Sequence, residues 1–177
     1  YDLISSGDTV GVFQLESGGM THFMMQMKPT SLEDIIAGIS LYRPGPMDQI
    51  PRYIECKQNP GAVKYETELL RPILNATYGC MVYQEQVMQI VRDLAGYSLG
   101  RSDLIRRAMS KKKHDVMERE RTHFVTGAVA NGVEEAAANE IFDDMAGFAS
   151  YAFNKSHAAC YALVAYRTAY LKVHAPA

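Results

Sequence analysis

From Gln84 to Val173 the chain is written almost wholly in the period of the α-helix, and that stretch decides the fold class. Val87, Met88, Val91 and Leu94 recur at helical spacing before Gly96 ends the run. Ser98 opens a second run, with Leu104, Ile105, Ala108 and Met109 on its apolar side. A third extends from about His114 to Ala130, where Asn131-Gly132 accept the left-handed conformation that commonly closes a helix. Glu134 to Phe148 follows, with Ile141, Met145 and Phe148 facing inward. The last helix, from about Ser156 to Val173, is apolar nearly all round, which predicts a central, buried position. The only strand-like run, Cys80-Met81-Val82-Tyr83, is short. The expected fold is therefore mainly α, an irregular helical domain with at most a short strand or two.

The first half is helical but more heavily punctuated. Ser17 to Met27 is rich in methionine and stops at Pro29. Ser31 caps the next helix, with Glu33 and Asp34 in its first turn and Leu32, Ile35, Ile36 and Ile39 on its apolar face. That helix must end before Arg43-Pro44-Gly45-Pro46, because each proline biases its predecessor out of the helical region and Gly45 permits a reversal. A helix near Asp48 to Gln58, an Asn59-Pro60-Gly61 turn, a short helix around Glu66 to Leu74 and the turn Thr77-Tyr78-Gly79 complete this half.

A chain of 177 residues supports one domain, or a domain with a fragment of a neighbour. No apolar run approaches the roughly 18 to 20 residues that a membrane span needs. The opening residues carry neither the basic nor the apolar segment of a secretory signal. A start on Tyr1 and a stop after a helical run suggest a piece of a longer polypeptide. Cys56, Cys80 and Cys160 lie far apart without CxxC spacing and read as buried free thiols in a reducing cytoplasm.

The formal net charge of −2 hides an asymmetry. Arg106, Arg107, Lys111, Lys112 and Lys113 place five cations in eight residues. Over the wider stretch from Arg101 to Arg121, eight cations stand against four acids, Asp103, Asp115, Glu118 and Glu120. From Thr122 to Ser150 the lysines, arginines, aspartates and glutamates are all acids: Glu134, Glu135, Glu140, Asp143 and Asp144. Such clustering concentrates an anionic ligand locally. On a helix Arg107 and Lys111 share a face, flanked by Arg106 and Lys113, and like charges at that spacing repel unless something screens them. Arginine forks and a movable lysine charge suit a triphosphate or a nucleic-acid backbone. A solvated basic face accounts for the same residues.

Tyr151-Ala152-Phe153-Asn154-Lys155-Ser156-His157 opens the last helix, with Asn154 or Ser156 as N-cap. Lys155 and His157 are electrostatically odd there, since cations are disfavoured at a helix N-terminus, and an anionic ligand would resolve the oddity. A plain capping motif with a hydrogen-bonded histidine is the alternative. Tyr42-Arg43-Pro44-Gly45-Pro46 presents one guanidinium on a rigid turn. Tyr83 with Gln84-Glu85-Gln86 reads either as a helix cap or as a nucleic-acid contact. The adjacent acids Glu134-Glu135 and Asp143-Asp144 point in different directions on a helix and make poor metal cages. There is no HxxxH or HExxH spacing, no Walker-type glycine loop and no nucleophile-base pair, so no metal or catalytic residue is expected in this chain.

Seven ordered blocks carry a resemblance that covers essentially the whole chain. They are Gly11-Val12-Phe13-Gln14-Leu15-Glu16-Ser17, Leu41-Tyr42-Arg43-Pro44-Gly45-Pro46-Met47, Thr77-Tyr78-Gly79, Val82-Tyr83-Gln84-Glu85-Gln86-Val87-Met88-Gln89-Ile90, Leu94-Ala95-Gly96-Tyr97-Ser98-Leu99-Gly100, Arg106-Arg107-Ala108-Met109 and Phe153-Asn154-Lys155-Ser156-His157-Ala158-Ala159. The chain resembles the alpha subunits of bacterial DNA polymerase III, the C-family replicative polymerases.

The resemblance implies a palm-fingers junction over residues 1–45 and a helical fingers domain over 46–177. It implies template-directed addition of deoxynucleotides with two magnesium ions held by palm aspartates upstream of Tyr1, so that this piece alone is inert. Arg106, Arg107 and Lys111 are then expected on the incoming triphosphate, with Asn154, Lys155, Ser156 and His157 forming the facing side of the nucleotide pocket. Lys112 and Lys113 are expected on the DNA backbone, and Arg43 on phosphate or template. The implied partners are a deoxynucleoside triphosphate, primer-template DNA and the rest of the alpha chain. Sliding clamp and clamp loader would dock through other regions, and the setting is the cytoplasm. The family commonly has glycine at the positions of Ser110 and Ala152 and an aromatic residue at that of Ala175. The reading from a different class is a helical nucleic-acid-binding or interaction module that uses the basic cluster without a nucleotide pocket.

Overall fold

A computed structural model of the chain describes residues 1–111, 114–148 and 151–176, with the side chains of Met109, Ser110 and His114 excepted. Among the described residues ten α-helices follow one another: α1 (Asp2–Ser6), α2 (Gly18–Met27), α3 (Leu32–Leu41), α4 (Ile50–Gln58), α5 (Arg71–Leu74), α6 (Gln84–Ala95), α7 (Leu99–Ser110), α8 (His114–Ala130), α9 (Glu135–Phe148) and α10 (Lys155–His174). Single turns of 3-10 helix at Pro46–Gln49, Pro60–Ala62, Glu68–Leu70 and Asn75–Thr77 link them. The expected mainly α class is what is found. The strand expected at Cys80 to Tyr83 does not form; only Tyr83, whose backbone is extended, makes an isolated bridge. The segment's polar backbone is served instead by the buried Gln86, whose Oε1 accepts from Val82 N at 2.8 Å and Tyr83 N at 3.0 Å. The Gln86 amide also donates to Thr77 Oγ1 at 2.8 Å, so this glutamine closes the turn and starts α6.

The chain divides into two compact units, residues 1–59 with 153–177, and residues 60–152. In the first, α10 packs along α3. Asp34 sits in the first turn of α3, 1% exposed, and accepts from Thr30 N, Ser31 N and Lys57 Nζ. Those contacts satisfy a carboxylate that burial would otherwise penalise heavily, and Ser31 Oγ accepts in turn from Asp34 N at 3.3 Å to complete a capping box. The α10 face against α3 is Ala158, Ala162, Ala165 and Ala169. Small side chains let two helix backbones approach closely. The opposite face keeps Leu163, Val164, Tyr170, Leu171 and Val173 exposed, so α10 is not buried all round as its composition suggests. Thr168 Oγ1 accepts from Phe13 N at 3.0 Å, and Lys172 Nζ donates to the carbonyls of Asp8 and Val10, tying the loop after α1 to α10.

The second unit holds one apolar cluster running from Leu70 to Phe148. Helix α6 contributes Val87, Ile90, Val91 and Leu94, α8 contributes Met117, Phe124 and Ala128, and α9 contributes Ile141, Phe142, Met145 and Phe148. Phe124 and Phe142 meet with ring centroids 5.6 Å apart. Gly127 lets α8 lie against the end of α6, since a Cβ built there would strike the carbonyl of Ala95. Gly132, at φ 85°, closes the turn after α8, and the Asn131 amide donates to Leu94 O at 2.8 Å. Of the apolar side expected on α7, Ile105 and Ala108 are buried while Leu104 is 67% exposed.

Candidate functional site

Helix α7 carries the arginines. Ser98 Oγ accepts from Arg101 N and so opens the helix, and Ile105 and Ala108 turn its other side into the core. Arg106 and Arg107, three and four residues after Asp103, both reach back to it. Arg106 donates from Nε at 2.9 Å and from Nη2 at 2.6 Å to Asp103 Oδ1, while Arg107 Nε pairs with Oδ2 at 2.7 Å. The hydrogen bond from Arg106, reinforced by the charge of both arginines, holds the Asp103 carboxyl below its ordinary value against the opposing effect of desolvation. A cleft of about 210 Å³ beside this group is lined by Leu104, Arg107, Ala108, Lys111 and Val116. Lys111 has no ion-pair partner among the described residues.

A second ionic group fixes α7 against α8. Arg101 places its fork on Glu120 at 3.2 Å, and Tyr97 donates from its hydroxyl to Glu120 Oε2 at 2.9 Å. Burial, then the Glu120 hydrogen bond and charge, raise the Tyr97 pKa well above that of a free tyrosine. Arg121 bonds Asp143 at 2.6 Å and Glu118 at 3.5 Å. Four of the eight cations counted along the sequence, Arg101, Arg106, Arg107 and Arg121, are thus paired within this unit, and of the carboxylates that pair with them only Asp143 lies outside the stretch from Arg101 to Arg121. Asp143 is one of these carboxylates and remains mostly exposed to solvent while it pairs.

At the start of α10, Asn154 is the N-cap, its Oδ1 accepting from His157 N at 2.9 Å, and Ser156 stands exposed in the first turn. The cation at this positive helix end is answered by the protein itself: Lys155 Nζ donates to Glu33 Oε2 at 2.9 Å. Glu33 belongs to the first turn of α3, so the alanine seam between the two helices brings the pair together. The His157 ring lies 4.5 Å from that of Tyr161 and 5.4 Å, edge on, from that of Phe153. Arg43 stacks over the other side of this aromatic series, its guanidinium carbon 4.1 Å from the Phe153 centroid, and donates from Nε to Ser40 O at 3.1 Å. Burial lowers the Arg43 pKa from its ordinary value, though an arginine stays charged at neutral pH.

The two groups fall on different units: Arg106, Arg107 and Lys111 on the second, Asn154, Lys155, Ser156, His157 and Arg43 on the first. Lys112 and Lys113 lie outside the described residues. Sequence reasoning missed the aromatic series from Phe13 through Tyr161, His157 and Phe153 to Arg43, because its members come from three separate segments. It also missed the double duty of Asp103, although the spacing of three and four residues was there to be read. Gln84 donates to Ala152 O at 3.3 Å, and with Gln86 buried the polar start of α6 acts as a cap. Cys56 and Cys80 are buried as expected, but Cys160 is exposed. Among the described residues no three His, Cys, Asp or Glu side chains gather to hold a metal ion, and no helix is long and apolar enough to cross a membrane.

The family described as the bacterial DNA polymerase III alpha subunit finger domain matches residues 1–132. The chain belongs to this family. It is 55% identical to the DNA polymerase III subunit alpha of Thermus aquaticus over 99% of its own length and 15% of that protein. It is 50% identical to the subunit alpha of Bacillus subtilis, over 99% of this chain and 16% of that one. For Chlamydia trachomatis the figures are 52%, 99% and 14%. This finger-domain chain therefore spans about 15% of the relatives it matches. The quoted motif blocks, the arginine pair and the capped start of α10 included, fall within that similarity.

Proposed function

We propose that this chain is the fingers portion of a longer DNA polymerase and that it binds the incoming deoxynucleoside triphosphate during template-directed synthesis. Arg106, Arg107 and Lys111 take phosphate oxygens, and Asn154, Lys155, Ser156 and His157 take further contacts to the nucleotide. Arg43, Lys112 and Lys113 contact primer-template DNA. The observation that carries this reading is the convergence of two guanidiniums on one carboxylate beside a cleft that Arg107 and Lys111 line. Guanidinium forks match phosphate geometry and hold it by charge-assisted hydrogen bonds. Such donors neutralise charge as it develops on the leaving pyrophosphate without having to reorganise.

The magnesium ions of the family reaction do not fit the described residues, which gather no suitable ligands. We place those ligands in the palm, beyond these residues, and expect the 177-residue chain alone to be inert in primer extension. On this reading residues 1–45 join palm to fingers and 46–177 are fingers; the rest of the alpha chain is the direct partner, a sliding clamp docks elsewhere, and the protein works in the cytoplasm. The test is Arg107→Ala in the full-length polypeptide. Losing a charge-assisted hydrogen bond worth about 1.5–3 kcal/mol predicts a rise of roughly 10- to 100-fold in KM for the nucleotide. A basic face without a pocket predicts instead a modest, uniform and salt-screened loss of DNA affinity.

A further inference from the structure

Two adjacent arginines on a helix point about 100° apart, so Arg106 and Arg107 do not converge by themselves. Asp103 changes that, because it lies one turn earlier, three residues from one arginine and four from the other, within reach of both. Each of its oxygens serves one guanidinium: Oδ1 accepts from Arg106 at 2.6 and 2.9 Å, and Oδ2 pairs with Arg107 Nε at 2.7 Å. The bond to Arg107 uses the inner nitrogen of the fork and leaves the side chain 66% exposed on the cleft that it shares with Lys111. Asp103 itself is 31% exposed, far from the burial that would make it part of the core. Its carboxyl is held ionised by these same contacts, so the clamp is intact throughout the neutral range.

We propose that Asp103 is a positioning residue, which draws Arg106 and Arg107 together and aims them at the triphosphate. The inference rests on the proposed nucleotide-binding role of Arg107. It makes a prediction opposite in sign to simple electrostatics. If Asp103 were only a counter-ion to be displaced by phosphate, its removal would leave more positive charge and tighten nucleotide binding. As a positioning residue its removal frees two long side chains, and the phosphate must then bear the cost of ordering them.

The experiment is steady-state kinetics of the full-length polypeptide with a deoxynucleoside triphosphate on a defined primer-template. Four variants are compared: Asp103→Ala, Asp103→Glu, Arg107→Ala and the double variant Asp103→Ala/Arg107→Ala, with thermal unfolding of each. Positioning predicts that Asp103→Ala raises KM for the nucleotide on the order of tenfold with the melting transition nearly unmoved. Asp103→Glu recovers most of that loss, and Asp103→Ala adds much less once Arg107 is gone, since coupled residues are not additive. Unchanged or tighter nucleotide binding in Asp103→Ala, with Arg107→Ala still defective, overturns the positioning role alone. An Arg107→Ala variant with normal KM overturns the nucleotide-binding reading, and the positioning role falls with it.

Discussion

The two groups of cations are held in different ways. The α7 arginines are clamped by a carboxylate on their own helix, one turn away, and need only that helix to exist. The cations at the start of α10 are held by residues distant in sequence, Glu33 for Lys155 and the Phe153 ring for Arg43. Their arrangement depends on α10 lying on α3 through the alanine seam. The first group is a local device and the second a tertiary one. A lesion in packing should therefore dismantle the second and spare the first.

The strongest way to break this contrast is Ala162→Leu. Forcing a large side chain into a closely packed seam costs about 1–3 kcal/mol, and it should separate Lys155 from Glu33 while leaving the Asp103 clamp intact. Nuclear magnetic resonance of the arginine and lysine side chains in the 177-residue chain would show which pairs survive. Loss of both together would show that the α7 group is not local. A smaller effect is expected from Glu120→Ala, which strips Arg101 and Tyr97 of a shared, partly exposed acceptor and should lower stability by roughly 1 kcal/mol in urea unfolding.

Alkaline pH probes that same site. Because the native Tyr97 pKa is raised, its contribution is fully present below the unfolded value near 10 and is lost as pH rises above it. Stability should therefore fall beyond pH about 10, by at most about 1.4 kcal/mol per pH unit from this residue, and less steeply in Tyr97→Phe. The smallest effect belongs to Glu33→Ala. An exposed ion pair is worth about 0.2–1 kcal/mol, and the expected outcome is a slight fall in melting temperature. A drop of several kcal/mol would mean that the Lys155 pair, rather than the seam, holds the start of α10.

The same distinction explains what could be read from the chain before its structure. Helix periods, the Ser31 cap, the Asn154 cap, the Pro44 to Pro46 break and the Asn131-Gly132 stop are local events, and the structure has them where residue chemistry places them. The strand at Cys80 to Tyr83 is reduced to one bridge at Tyr83 because β-branched and aromatic side chains make a strand only where a ladder can extend, and here Gln86 takes the N–H groups of Val82 and Tyr83. Helix α10 was misjudged because apolar composition does not say which face is used; the alanines, not the larger side chains, meet α3. Leu104 and Cys160 are exposed for reasons of the same kind, since periodicity assigns a face only when one side is clearly polar. At the site, the residue types and their spacing were legible. The partners Glu33 and Phe153 were not, because only folding brings them to Lys155 and Arg43.

The central claim is that the α7 cations read the triphosphate rather than nucleotide or DNA in general. It is tested most directly by equilibrium binding to the full-length polypeptide held on a dideoxy-terminated primer-template, comparing the correct deoxynucleoside triphosphate with its monophosphate in the parent and in Arg107→Ala. The account predicts that Arg107→Ala weakens the triphosphate by roughly 10- to 100-fold while changing the monophosphate by less than about threefold. Equal weakening of both, or none of either, would contradict it.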